Sequence, residues 1–118
     1  MVIDDVFKLL NSLDCRGAHE NTIQVAIERA LLRAGHRVER EVRIGEAGRI
    51  DFEIPDLRLG IEVKVDGATN SVTEQLSRYA ETGRYDTVML VTTKRRHKMP
   101  ETLCGVPIRV CHLWGAIL

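Results

Sequence analysis

Two carboxylates and one ammonium group stand at strand-like spacing in the middle of the chain. Asp51 lies in the run 49–54, and Glu62 and Lys64 lie in the run 61–65. Both runs alternate apolar and polar residues, as half-buried strands do. Ile50, Phe52 and Ile54 are expected to point one way, as are Leu59, Ile61, Val63 and Val65; Asp51, Glu62 and Lys64 are expected to point the other. Between the runs, Pro55, Asp56, Leu57 and Arg58 read as a turn. A hairpin centred between Asp56 and Leu57 sets Asp51 directly opposite Glu62. Side chains so placed stand roughly 5 Å apart, and two carboxylates there repel. A divalent cation between them turns repulsion into ligation. Lys64 shares their face, close enough to act beside such an ion, so the spacing points to metal-assisted chemistry.

Those strands need a scaffold, and 118 residues suffice for one domain, 1–118, with one real core. The 44% hydrophobic and 29% charged content is that of an ordinary globular chain. No run approaches the roughly 18 apolar residues of a membrane helix, and the first residues do not read as a signal peptide. Cys15, Cys104 and Cys111 lack the paired spacings of a zinc site, and their odd number fits no closed disulfide set. Free thiols in a cytoplasmic protein are expected. A net charge of zero argues against a strongly basic nucleic-acid coat but leaves local patches open.

Helical spacing covers 2–13, and covers 20–34 with Gly35 as its stop. A first strand reads over 37–44. After the Asp51 and Glu62 strands and a loop at 66–71, a helix is expected over 72–82, capped by Asn70 or Ser71. The apolar run 87–92 suits a strand buried on both faces. A basic loop spans 94–98, a helical turn 100–103 and a last strand 106–110. The order α-α-β-β-β-α-β-β predicts an α/β fold: a mixed sheet of about five strands flanked by helices. The crossover from the Lys64 strand to 87–92 predicts a parallel pair.

A carboxylate, about ten residues, then Glu62-Val63-Lys64 on strands after a helix resembles the PD-(D/E)XK nuclease superfamily. The likeness in element order covers roughly 20–110 and is closest to small members such as viral replication-and-repair nucleases and Holliday-junction resolvases. Gln75, on the helix after Lys64, matches a glutamine those small members carry. The literal pair Pro55-Asp56 is assigned to the turn, and Asp51 is taken as the acid. The resemblance implies a restriction-endonuclease-like core and a glutamate on the first core helix, where Glu20 is favoured over Glu28. It implies Mg²⁺ or Mn²⁺ held by Asp51, Glu62, Glu20 and the Val63 carbonyl, with Lys64 and Gln75 acting on water or phosphate. The implied activity is hydrolysis of phosphodiesters in DNA, as an endonuclease on branched or structured substrates and as a possible homodimer.

Plainer readings stand beside these. Asp51, Glu62 and Lys64 could form a solvated sheet face, and Gln75 a surface residue. Tyr79 fits a half-buried helix position as well as a phosphate contact. Arg49 could pair with a neighbouring acid or touch phosphate. Lys94, Arg95, Arg96 and Lys98 form either a solvated loop or a DNA clamp. The four histidines show no metal spacing. Leu113, Trp114, Ile117 and Leu118 read as core or dimer packing. The rival functions are a silent nucleic-acid-binding module of the same fold, and a nuclease acting on RNA or single-stranded DNA.

Overall fold

The computed structural model describes residues 2–15 and 18–113. Helix α1 (Val2–Asn11) and helix α2 (Glu20–Arg33) precede strands β1 (Glu39–Arg43), β2 (Arg49–Ile54) and β3 (Leu59–Lys64). Helix α3 (Thr69–Glu81) then leads to β4 (Thr87–Thr92), β5 (Thr102–Leu103) and β6 (Val106–His112). The strands form one six-stranded sheet in the order β1-β2-β3-β4-β6-β5. The first three are antiparallel; β3, β4 and β6 run parallel; β5 returns antiparallel on β6. The mixed α/β layering therefore follows the expectation, with one strand more than predicted. No helix among the described residues is long and apolar enough to cross a membrane.

Apolar periodicity explains the layers. Ile23, Ile27 and Leu31 recur along one side of α2 and are fully buried. With Val6 and Leu10 of α1 they cover Phe52, Ile54, Ile61, Val63, Met89 and Val91 on one face of the sheet. Val72, Leu76 and Tyr79 of α3 cover Ile50, Val88, Leu90 and Ile108 on the other. Every residue of β4 is buried, which accounts for its unbroken apolar run. Gly35, at φ 88, closes α2 as the sequence predicts.

Three local expectations need correcting. The segment 100–103 is not a helical turn; its last two residues form β5, pairing Thr102 with Pro107 and Leu103 with Val106. Cys104 and Gly105, at φ 50 and 77, make the two-residue turn between them, a conformation favoured in tight hairpins but rarely signalled by a cysteine. Helix α3 begins three residues earlier than its apolar stripe suggests, after Ala68, and no side chain caps it. Thr69 Oγ1 instead reaches outward to the Arg96 carbonyl at 2.9 Å. Finally, Ile50 does not share a face with Phe52 and Ile54; it packs under α3, and they pack under α1 and α2.

That last difference locates a break in the pleat. Residues two apart in a regular strand share a face, so β2 must turn over at Asp51. Strand β1 turns over at the same level: Arg40 stacks on the Phe52 ring at 5.0 Å, whereas Val42 packs on the α3 side. Glu41 between them has φ 50, an uncommon backbone for a residue with a side chain. Gly60 on β3 makes room for the displaced Ile50. A Cβ there would lie 2.6 Å from Ile50 Cδ1 and 3.1 Å from the Tyr85 ring. Gly60→Ala is therefore expected to cost about 1–3 kcal/mol by overpacking, measured by urea unfolding. Adding Ile50→Val, which removes Cδ1, should recover part of that loss.

Candidate active site

The β2/β3 register runs Ile54 to Leu59, Glu53 to Gly60 and Phe52 to Ile61. One further step sets Asp51 opposite Glu62, and here the ladder opens. The Asp51 backbone N–H donates to Glu62 Oε1 at 3.1 Å. The Val63 N–H donates to Asp51 Oδ2 at 2.7 Å. Each acid thus accepts a backbone N–H at the place where a strand-to-strand bond would otherwise continue. In an extended strand a residue's N–H and C=O face the same neighbour, so the Val63 carbonyl faces this opening too. The Lys64 carbonyl faces the other way, accepting from the Thr93 N–H at 3.2 Å.

The seam is poorly hydrated. Glu62 is 2% exposed, and burial followed by the Asp51 charge pushes its pKa up to about 8. Burial also raises Asp51, against the lowering effect of the Val63 N–H and Lys64. Two adjacent carboxyls titrate as a pair, and this pair keeps a proton where ordinary carboxylates have none. Lys64 Nζ lies 3.5 Å from Glu62 Oε2, with the lysine side chain 26% exposed. The ammonium group therefore sits at the mouth and the acids lie behind it.

Helix α3 braces the seam from below. Gln75 Nε2 donates to the Tyr79 hydroxyl at 2.9 Å, and that hydroxyl donates to the Arg49 carbonyl at 2.8 Å. Arg49 is two residues before Asp51, where β2 has lost its bonds to β3. Tyr79 is fully buried, and the Glu62 and Asp51 charges help raise its pKa after burial itself. It therefore offers no atom to a phosphate; it anchors β2 and orients Gln75. The signal for this was the one-turn spacing of Gln75 and Tyr79, which makes them neighbours on a helix.

Other expected site residues lie elsewhere. Glu20 opens α2 half-buried, and Glu28 is 3.6 Å from Arg40 Nη1. Among the described residues no third His, Cys, Asp or Glu joins Asp51 and Glu62 in a group able to hold a metal. Arg49 is exposed at the start of β2. Arg96 is used inside the protein, bonded to Asp66 Oδ1 at 3.1 Å and to the Gly67 carbonyl at 3.1 Å. Lys94 is half-buried, and Arg95 and Lys98 are exposed.

Sequence reading missed His97, which is fully buried beneath this loop. Its Nε2 meets the Gly67 carbonyl at 2.8 Å and its Nδ1 meets Thr92 Oγ1 at 2.6 Å. A carbonyl only accepts, so Nε2 carries a proton and donates it to Gly67. The ring ties the loop after Lys64 to the loop after β4. A lone histidine in a basic run carries no sequence mark of such a role. Of the tail read as core or dimer packing, Leu113 is buried, and residues 114–118 lie outside the described residues.

No protein-family model, curated protein or solved structure matches the chain.

The proton on the acid pair has a consequence for stability. Folding raises Glu62 from 4.5 to about 8, so the folded state binds more protons than the unfolded state between those values. Stability is full below the lower value and falls as pH rises through the window, by at most about 1.4 kcal/mol per pH unit. Metal-free protein should lose melting temperature from about pH 5 to about pH 8.5. Glu62→Gln keeps an oxygen for the Asp51 N–H and should flatten that slope; thermal melts across the range check this.

Proposed function

We propose that the chain is a metal-dependent deoxyribonuclease with a restriction-endonuclease-like core, cutting within branched or structured DNA. The observation that carries this reading is the exchange of carboxylates across the open β2/β3 seam with Lys64 at its mouth. A buried and a half-buried acid that share a proton are a costly arrangement that a cation would relieve. The donors are hard oxygens, which suit Mg²⁺ or Mn²⁺. Asp51, Glu62 and the Val63 carbonyl would hold the ion, with Glu20 not brought to them and water completing the shell. When bound, such an ion polarises a phosphate and lowers the pKa of a coordinated water.

The remaining chemistry falls to side chains. Lys64, tethered by Glu62, orients the attacking water or neutralises charge growing on the phosphate. Gln75, held by Tyr79, positions water or a phosphate oxygen. Water gives its oxygen to phosphorus and one P–O ester bond breaks, leaving a phosphate on one end and a hydroxyl on the other.

One observation favours a second reading. Asp51 and Glu62 already satisfy two backbone N–H groups, a structural use that a silent nucleic-acid-binding module would also keep. Metal binding separates the two, since the module needs no ion.

Purified protein incubated with linear, nicked, flapped and four-way DNA should cut with Mg²⁺ or Mn²⁺ and not in chelator; matching RNA and single-stranded arms test the alternative substrates. Asp51→Asn, which retains an acceptor for the Val63 N–H, and Lys64→Ala should each lower the rate by about 100-fold or more while leaving the fold intact by circular dichroism. Wild-type rates in either variant would overturn the assignment.

A further inference from the structure

We propose that the substrate strand is gripped on both flanks of the Asp51/Glu62 seam, by Arg43 and Arg49 on one side and by Lys94 and Lys98 on the other. The reactive phosphodiester then lies inside a continuing polynucleotide. This deepens the nuclease reading and rests on it.

The first flank is a like-charged pair. Arg43 and Arg49 are direct partners across the β1/β2 ladder, and both are exposed. Like charges set opposite one another in a sheet destabilise it. Nothing inside relieves this pair: neither arginine side chain has a hydrogen bond or ion pair among the described residues, and none of Glu41, Glu46 and Asp51, the acids within three residues of them in sequence, pairs with either. Arg37, Arg58, Arg84, Arg96 and Arg109 each have a carboxylate partner. An anion from outside would complete the pair, and a planar guanidinium fork suits phosphate oxygens.

The second flank follows from the sheet order. Arg43 closes β1 and Arg49 opens β2; Lys64 closes β3 in register with Thr92, which closes β4. The chain directions bring these four ends together at one end of the sheet, in the order β1-β2-β3-β4. The seam lies between β2 and β3, so cations stand on either side of it. The row spans three strand spacings, roughly 14 Å. Lys94 follows Thr92 by two residues, and its backbone N–H donates to Thr92 Oγ1 at 3.0 Å. The His97 and Arg96 bonds to Gly67 fix that loop beside Lys64, so Lys94, half-buried, and Lys98, exposed, stand on an anchored rim. A strand end would engage one flank; a backbone charged along its length engages both.

The test uses the full chain in two assays. With Mg²⁺ or Mn²⁺, covalently closed circular DNA carrying an extruded inverted repeat, a branched substrate without ends, should be nicked or linearised. In chelator, binding of a duplex is followed against salt. Arg43→Gln with Arg49→Gln should lower the slope of log affinity on log salt by about 1–2, as should Lys94→Gln with Lys98→Gln. Arg29→Gln with Arg33→Gln, on the outer face of α2, should leave it unchanged. Such circles left intact while linear DNA is degraded from its ends would overturn the two-flank grip and the internal cut, and spare the metal-dependent nuclease assignment of the seam. A wild-type salt slope in the Arg43/Arg49 variant would overturn the clamp. Wild-type protein that neither binds nor cuts DNA would overturn the nuclease reading, and the grip with it.

Discussion

A carboxylate can stand in for a backbone carbonyl and accept a strand N–H, but two of them side by side in a largely buried seam disfavour being charged together, even with the Lys64 ammonium beside them. Asp51 and Glu62 meet that constraint at the opening between β2 and β3. The geometry holds both acids in place before any ligand arrives, because each is tied to the opposite strand's backbone. Preorganisation of this kind spares a site the cost of gathering its donors when the ligand binds. With no cation beyond Lys64 beside them, the pair carries a proton instead.

The surroundings make sense as devices for keeping that opening open. Strand β2 loses its bonds to β3 at Asp51 and gains one from Tyr79 through the Arg49 carbonyl. The turnover of the pleat sends Ile50 beneath α3, and Gly60 leaves space for it. Glu41, at a left-handed φ, lets β1 follow. On the far side, the His97 ring fastens the loop that leaves Lys64 to the loop that leaves β4.

Much of the scaffold was legible in the sequence because its elements have strong periods. The stripe of α2, the run of β4 and the turn at Pro55 each follow from residue spacing, and the turn alone sets the register that opposes Asp51 and Glu62. What spacing could not convey is departure from spacing. Alternation through Ile50, Asp51 and Phe52 reads as a flat strand, yet the two acids compete for the N–H groups that would keep it flat. The hairpin at Cys104 and Gly105 and the early start of α3 depend on tertiary partners distant in sequence. Tyr79 and His97 were hard to read for the same reason, since their polar ends are satisfied by backbone carbonyls that no motif marks. Glu20 sits at the head of α2 as the helix pattern implies, but a stripe gives its orientation about the helix and not its reach across the sheet.

Whether the paired acids answer to a cation is a question of protons as much as of affinity. A metal bound there would displace the proton that the pair holds, so uptake and proton release would be linked. Calorimetric titration of Mn²⁺ into metal-free protein at about pH 7, in buffers of different ionisation enthalpy, measures both at once. The expected result is binding that releases about one proton and that is lost in Asp51→Asn and in Glu62→Gln. No binding, or binding that both substitutions leave intact, would contradict it.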